Sequence, residues 1–163
     1  MAARSKSKAK SRALKDAIAV LKADHRQVEQ WFEEFASARS AKRKQDLATS
    51  ICEALSVHAK IEEEIFYPEF LRATKDKDTH HEAIVEHDGA KRLIADIENS
   101  SPSDEYFQSK VHVLSEMIKH HVKEEEKSDG MFAEAKKSKM DLEELGRRLL
   151  RRKQELKGGV AAA

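Results

Sequence analysis

Apolar residues recur at intervals of three and four positions through most of the chain, which is the spacing that predicts amphipathic α-helices. Four long segments of this kind follow one another, at about 14–38, 41–67, 79–98 and 104–127. Pro68 is expected to end or kink the second helix, and Ser103 or Asp104 to cap the fourth. A fifth segment, at about 139–157, repeats leucine at helical spacing.

Four long helices with short connections predict an all-α fold, an antiparallel up-down four-helix bundle. The fifth segment is too apolar along one face to stand alone in water, and we expect it to pack on the bundle or on another subunit. The predicted organisation is a disordered basic tail over 1–13, a bundle domain over 14–135, and a C-terminal helix with a frayed tail over 136–163.

Each of the four apolar stripes contains a histidine at a position where the spacing calls for an apolar side chain. These residues are His25, His58, His87 and His121. A glutamate follows four residues after the second and the fourth histidine, at Glu62 and Glu125, on the same helix face and about 6 Å along the axis. Burying an isolated carboxylate costs roughly several kcal/mol, so two carboxylates among four imidazoles predict bound cations.

Taken singly, these features have ordinary explanations. One inward histidine is more often a hydrogen-bonded core residue, and one His-x-x-x-Glu pair is more often a surface pair. The repetition in phase on four helices favours a metal site instead. Imidazole and carboxylate ligands without thiolate fit iron, manganese or zinc better than copper(I) or calcium. Six ligands exceed one tetrahedral zinc and indicate two metals, with carboxylates able to bridge them.

The combined ligand set resembles the hemerythrin-like HHE cation-binding domain family. The resemblance rests on ADHRQVEQWF (23–32), VHAKIEEEIFYP (57–68), EHDGAKRLI (86–94) and HHVKEEE (120–126), and it covers about residues 14–135. It implies a non-haem centre of two iron ions joined by an oxo or hydroxo group. By that resemblance His25 and His58 would bind one iron, His87 and His121 the other, and Glu62 and Glu125 would bridge them.

One position departs from the family pattern. Oxygen-carrying hemerythrins have a second histidine four residues before the one that matches His87, and this chain has Ala83 there. One iron is therefore expected to lack a protein ligand, with a water molecule, Glu86 or another group in its place. This departure favours a more open and reactive site over a pure oxygen carrier.

The remaining histidines and Tyr67 lie outside the predicted ligand set, and the sequence gives an expectation for each. His80 is expected either to approach the site or to lie at the surface. Tyr67 is expected to pack at the end of its helix, with a redox role near the irons as the alternative. Three histidines fall off the stripes and are expected to be exposed: His81, His112 and His120.

The resemblance implies a protein that binds dioxygen, nitric oxide or peroxide for storage, sensing or detoxification. The alternative is an enzyme, a di-iron peroxidase or catalase-like protein or one that consumes nitric oxide. The second alternative is an iron-storage or structural bundle without a redox role. An electron donor and further copies of this chain in a homo-oligomer are candidate partners. The pattern is compatible both with an enzyme and with a binding protein.

Composition adds three constraints. The net charge of +1 does not favour nucleic acid as a partner, although the basic tail and Arg147, Arg148, Arg151, Arg152 and Lys153 of the fifth helix are candidate contact surfaces. Cys52 is the one cysteine, which excludes an internal disulfide and fits a cytoplasmic location. No apolar run approaches the roughly 18–20 residues of a membrane span.

Overall fold

The computed structural model describes residues 16–162, and the side chains of 159–162 are outside the description. Every regular element in that range is helical, so the all-α prediction is confirmed. The α-helices are α1 (Ala17–Ser37), α2 (Ala41–Ile61), α3 (Tyr67–Thr74), α4 (Lys77–Glu98), α5 (Phe107–Glu126), α6 (Met131–Lys137) and α7 (Leu142–Ala162). A π-helical turn, Glu62–Phe66, joins α2 directly to α3. The basic tail predicted over 1–13 lies outside the described residues.

Four long helical segments form the bundle: α1, α2 with its continuation α3, α4, and α5. Around the bundle, α1 packs beside α2, α2 beside α4, α4 beside α5, and α5 beside α1. The predicted fifth helix is α7, which packs on α1, on α2 and on the π-helical turn. The four-helix bundle with an additional C-terminal helix is therefore confirmed, and the fifth helix lies on the bundle. Its backbone remains helical to Ala162, through most of the segment expected to fray.

Side-chain caps fix where three of the helices begin. The capping pairs are Asp16 with the N–H of Ala19, Ser40 with that of Arg43, and Asp76 with that of Thr79. The predicted cap of α5 is wrong, because that helix begins three residues after Asp104. Asp104 accepts a hydrogen bond of 2.7 Å from the backbone of Ser101 instead, and so stabilises the turn before the helix.

Of the two outcomes expected at Pro68, an end or a kink, the end is wrong, because the helix continues to Thr74. The N–H of Tyr67 bonds to the carbonyl of Glu62, five residues back, so the chain makes one wider turn just before the proline. One extra residue rotates the following positions by about 100° relative to an α-helix. As a result Phe66 and Tyr67 are fully buried, whereas Ile65 is only partly buried, although it continues the inward helical spacing of His58 and Glu62.

Two apolar clusters fill the bundle, with polar residues between them. The first joins Leu21, Ile61, Phe66 and Phe70 to residues of α6 and α7, and it includes Phe132 and Leu149. The second fills the other end, with Val28, Leu55, Ile94 and Leu114 among its members. Helix α6, which the sequence analysis did not predict, closes the first cluster. None of the helices in residues 16–162 is long and apolar enough to cross a membrane.

Candidate metal centre

The six residues predicted as metal ligands meet between the two apolar clusters, and all six are buried. They form two groups of three, His25, His58 and Glu125 in one, and Glu62, His87 and His121 in the other. Within each group the candidate ligand atoms lie within 4.8 Å of one another. The helical spacing brings them together because each stands on the inward stripe of its own helix.

The histidines of each group turn the same ring nitrogen toward each other. Nε2 of His25 lies 3.2 Å from Nε2 of His58, and Nε2 of His87 lies 3.1 Å from Nε2 of His121. Ligand atoms about 3 Å apart are what a metal with bonds of about 2.1 Å holds at neighbouring positions. The nitrogens of both histidine pairs therefore have the spacing of metal ligands.

The two glutamates lie between the histidine pairs. Oε1 of Glu62 is 2.9 Å from Nε2 of His58 and 3.4 Å from Nε2 of His87. Oε1 of Glu125 is 3.2 Å from Nε2 of His25 and 3.4 Å from Nε2 of His121. Each carboxylate thus approaches one histidine of each pair, which is the position that a bridging carboxylate needs.

The outer ring nitrogen of every one of these histidines faces a carboxylate. The Nδ1 contacts are His25 to Glu126 at 2.6 Å, His58 to Asp24 at 2.9 Å, His87 to Glu63 at 3.0 Å and His121 to Glu86 at 2.9 Å. A carboxylate only accepts, so Nδ1 carries a proton, and a ring that holds no second proton directs the lone pair of Nε2 at the centre. Metal-binding histidines are oriented by outer carboxylates in this way.

These four contacts form a closed ring around the bundle. Helix α1 supplies Asp24 to the histidine of α2, and the π-helical turn after α2 supplies Glu63 to that of α4. Helix α4 in turn supplies Glu86 to the histidine of α5, and α5 supplies Glu126 to that of α1. Each bundle segment therefore orients the ligand of its neighbour.

A third layer of side chains contacts the four orienting carboxylates. The pairs are Lys153 with Asp24, Lys91 with Glu63, His120 with Glu86, and Arg26 with Glu126. In the case of Asp24, burial alone would raise the pKa, but the hydrogen bonds and charges of His58 and Lys153 lower the pKa below its ordinary value. Asp24 is therefore ionised at neutral pH and accepts from His58.

The buried carboxylates test whether these residues fit a cation. Among the described residues, both oxygens of Glu62 and Oε1 of Glu125 are buried and accept no hydrogen bond. A buried acceptor without a donor costs about 1–3 kcal/mol, and more if it is charged. These carboxylates attract positive charge. Burial would lower the pKa of His58, but the charge of Glu62 and the hydrogen bond with Asp24 raise it well above its ordinary value, so the ring takes up a second proton. The residues fit metal ions, which would take the place of that proton.

Tyr67 enters the centre beside the second group. Its hydroxyl lies 3.0 Å from Nε2 of His87, 3.2 Å from Nε2 of His121, and 2.9 Å from Oε2 of Glu125, to which it donates. Burial raises the pKa of the phenol well above its ordinary value, and the charges of Glu125 and Glu62 raise it further. The sequence analysis placed Tyr67 at the helix end and offered a site role only as the alternative. The π-helical turn is what rotates the ring inward.

Tyr67 therefore approaches the nitrogens of His87 and His121, whereas the oxygens of Glu86 contact Nδ1 of His121 and the ring of His120. His80 is partly buried, and its ring meets that of Tyr67 edge-on with centroids 6.2 Å apart. The three remaining histidines are exposed as predicted: His81, His112 and His120. His120 nevertheless contacts Glu86, a role that its exposed position did not indicate.

A cavity of about 180 Å³ opens beside the ligand cluster. All four inward histidines line its floor. Its walls are apolar and include Val28, Leu55, Ala90, Ile94, Met117 and Ile118. Lys91 and His120 also border it. An engineered apolar cavity of comparable size, about 150 Å³, remains dry and binds small apolar molecules. The cavity therefore offers space for a small uncharged molecule beside the histidine nitrogens, bounded by residues of the second apolar cluster.

Comparisons with known proteins agree with this geometry. The family model described as the hemerythrin HHE cation binding domain matches residues 10–133. A solved structure from Mycobacterium kansasii, a hemerythrin HHE cation binding domain-containing protein and Rv2633c homolog, superposes with a TM-score of 0.74. That alignment covers 90% of each chain at 24% identity, a level that shows the fold alone.

A relative from Nostoc sp., named as a DNA nickase, is 32% identical over 107 residues. The aligned part is 66% of this chain but only 30% of that protein, so the chain spans less than a third of its length. The family match covers most of the chain, and the bundle carries buried histidine and glutamate groups able to hold metal. The chain therefore belongs to the hemerythrin HHE cation-binding domain family.

Proposed function

We propose that this chain is a non-haem di-iron protein whose metal pair takes dioxygen, nitric oxide or peroxide as ligand. The observation that carries the proposal is the position of Glu62 and Glu125, each within 3.4 Å of Nε2 from both histidine pairs. In the proposal, His25, His58 and Glu125 hold one ion, while His87, His121 and Glu62 hold the other. Each carboxylate also lies within 3.4 Å of a histidine of the other group, so it would be available to both ions.

Iron is the metal implied by the family, and the donor set of four imidazoles and two carboxylates suits it. Bound iron would supply the electrons that bind or reduce a small oxygen or nitrogen ligand. The chain would contribute the rest. Asp24, Glu63, Glu86 and Glu126 hold the imidazoles in the correct tautomer and orientation. The apolar cavity admits small uncharged molecules and limits bulk water at the histidine nitrogens.

Tyr67 favours a second, more specific candidate, a centre that reduces peroxide. In the proposal its hydroxyl takes the place left by Ala83, since it lies 3.0 Å from Nε2 of His87 and 3.2 Å from Nε2 of His121, and it is protonated because burial raises its pKa. Its one proton is donated to Glu125. If the hydroxyl turned from Glu125 to an oxygen ligand, the same proton would stabilise the charge that develops as an O–O bond is cleaved. A histidine there would instead fill the open position.

Metal analysis tests the proposal first. Protein produced with iron and then purified should contain about two irons per chain and absorb as an oxo-bridged ferric centre that dithionite bleaches. Protein that contains no tightly held iron, or in which His58→Ala and His121→Ala both leave metal content unchanged, would contradict it.

Reaction of the reduced protein with gas or peroxide then separates the candidates. A stable spectrum after oxygen addition indicates reversible binding. Rapid oxidation by peroxide, repeated over many turnovers with a reductant, indicates the reducing centre. The nickase activity of the Nostoc relative is left out of the proposal, because the match covers 30% of that protein.

A further inference from the structure

Helix α7 lies beyond residues 10–133, which the family model matches, yet it contacts the surroundings of the metal centre. Three of its basic side chains reach carboxylates of the bundle. The pairs are Arg148 with Glu69 at 3.6 Å, Arg152 with Glu64 at 2.8 Å, and Lys153 with Asp24. Asp24 differs from the other two because it also holds a candidate metal ligand, His58.

The two oxygens of Asp24 have separate partners. The ammonium of Lys153 binds Oδ1, and Nδ1 of His58 lies 2.9 Å from Oδ2. The lysine therefore fixes the rotation of the carboxylate, with one oxygen turned outward and the other turned toward the imidazole. Both contacts are largely shielded, since 24% of the Lys153 side chain and 14% of the Asp24 side chain are exposed.

The other three orienting carboxylates take their outer partner from the bundle itself. Arg26 stands on α1, Lys91 on α4 and His120 on α5. Only the carboxylate that orients His58 is held, among the described residues, by a side chain from α7. The appended helix thus completes a layer that the bundle supplies at the other three positions.

We propose that Lys153 is a positioning residue for the metal ion held by His58, acting through Asp24. This inference rests on the proposed metal site. Lysine has two opposite effects there. Its positive charge repels a cation, which would weaken metal binding, whereas its hold on Asp24 fixes the imidazole, which strengthens binding. Loss of Asp24, the outer partner of His58, would typically lower metal affinity by about 10- to 100-fold. Because Lys153 holds that carboxylate in place, we expect its positioning effect to exceed its repulsion of the cation and to lie at the lower end of that range.

Cobalt(II) titration of the metal-free full chain, followed by visible absorption, tests whether Lys153 strengthens or weakens metal binding. Lys153→Met keeps the aliphatic stem and removes the ammonium, and it should weaken binding of one of the two ions by about tenfold. Lys153→Arg should restore most of the affinity. Lys157→Met is the matched control on the exposed side of the same helix and should bind as the parent chain does. Unchanged or tighter binding in Lys153→Met would overturn the proposal.

Two further measurements separate this inference from the metal site on which it rests. In the Asp24→Asn background, Lys153→Met should produce no additional loss, because both changes act through one contact. In the metal-free protein, the Nδ1 proton of His58 should give a hydrogen-bonded NMR signal that Lys153→Met loses and Lys157→Met keeps. If the parent chain binds no cobalt, the proposed function fails. The NMR signal still decides the role of Lys153, and a signal that persists in Lys153→Met refutes it.

Discussion

The hydroxyl of Tyr67 donates a hydrogen bond of 2.9 Å to Oε2 of Glu125 in the centre of the bundle. That bond joins the second helical segment, just after its π-helical turn, to the fourth, beside the group of Glu62, His87 and His121. Because Glu125 also approaches His25 and His121, the phenol is connected to both histidine pairs through one carboxylate.

Replacing Tyr67 with phenylalanine should separate binding from reaction. Tyr67→Phe preserves the packed ring and removes only the hydroxyl, so iron content should remain near that of the parent chain. Reaction of the reduced protein with peroxide should slow by about 10²-fold, the smaller end of what a positioned proton donor contributes. Stopped-flow absorption measures this rate. Tyr106→Phe, at an exposed position, is the control and should react normally.

Glu62 should be needed for two ions to bind. Glu62→Gln retains the shape of the side chain and removes the negative charge that faces His58 and His87. Bound iron should fall from about two ions per chain to one or fewer, measured by elemental analysis after desalting. Glu53→Gln, on the exposed face of α2, should retain the full content. Full iron content in Glu62→Gln would remove this carboxylate from the ligand set.

Removal of the metal should destabilise the fold, because ions that bind only the folded chain stabilise it. A free concentration of 1,000 times the dissociation constant adds about 4 kcal/mol to the free energy of unfolding. For a chain of this size that corresponds to a fall in the unfolding midpoint of about 10 °C after chelation. Differential scanning calorimetry with and without chelator measures it. The same chelator should shift Glu62→Gln less, and an equal shift in both proteins would argue against specific binding.

Filling the apolar cavity should slow access of ligand. Ala90 lines the cavity on α4, and Ala90→Leu adds bulk in front of the histidine nitrogens. The rate at which oxygen or nitric oxide reacts with the reduced protein should fall, while iron content remains the same. Ala95→Leu adds the same bulk at an exposed position of the same helix and should have no effect. An unchanged rate in Ala90→Leu would show that ligands enter by another path.

Cys52 should make stability decrease in strong base. Burial, together with the charges of Glu98 and Glu53, raises the pKa of its thiol to about 12 from an ordinary 9.0. Below pH 9 the thiol is neutral in both states, whereas between pH 9 and about 12 it ionises in the unfolded chain only, so folding loses stability over that window. At pH 10 the loss is about 1.4 kcal/mol relative to pH 8.

Urea unfolding of the parent chain and of Cys52→Ala at pH 8 and pH 10 isolates this effect. The stability difference between the two proteins should change in favour of Cys52→Ala by about 1.4 kcal/mol. A difference that does not vary with pH would mean that the thiol titrates equally in the folded and unfolded chains.

The apolar spacing predicts the five long helical segments and the six inward polar residues, because an α-helix repeats its faces regularly, but it does not predict the short helix α6. It could not predict the role of Tyr67, since one wide turn at Glu62–Phe66 changes the register just before that residue. Ile65 was placed inside for the same reason. The signal available in the sequence is Pro68, two positions after that turn, but a proline predicts an end or a kink of the helix and not a wider turn before it.

The spacing of apolar residues could not predict the four orienting carboxylates, for a different reason. Asp24 and Glu126 each stand next to a ligand in the sequence, yet each contacts the ligand of another helix. Their partners depend on how neighbouring helices are rotated, which a single-helix pattern does not contain. Glu86 was considered as a replacement ligand, but its oxygens are directed to His121 and His120.

The ring of four carboxylate–histidine contacts has a mechanical consequence. Every bundle segment both gives and receives one of these contacts, so turning any single helix about its axis breaks two of them, one on each side. Turning α2 or α5 releases one histidine of each group, whereas turning α1 or α4 releases both histidines of a single group. All four helices must therefore be aligned before all four imidazoles are oriented toward the centre.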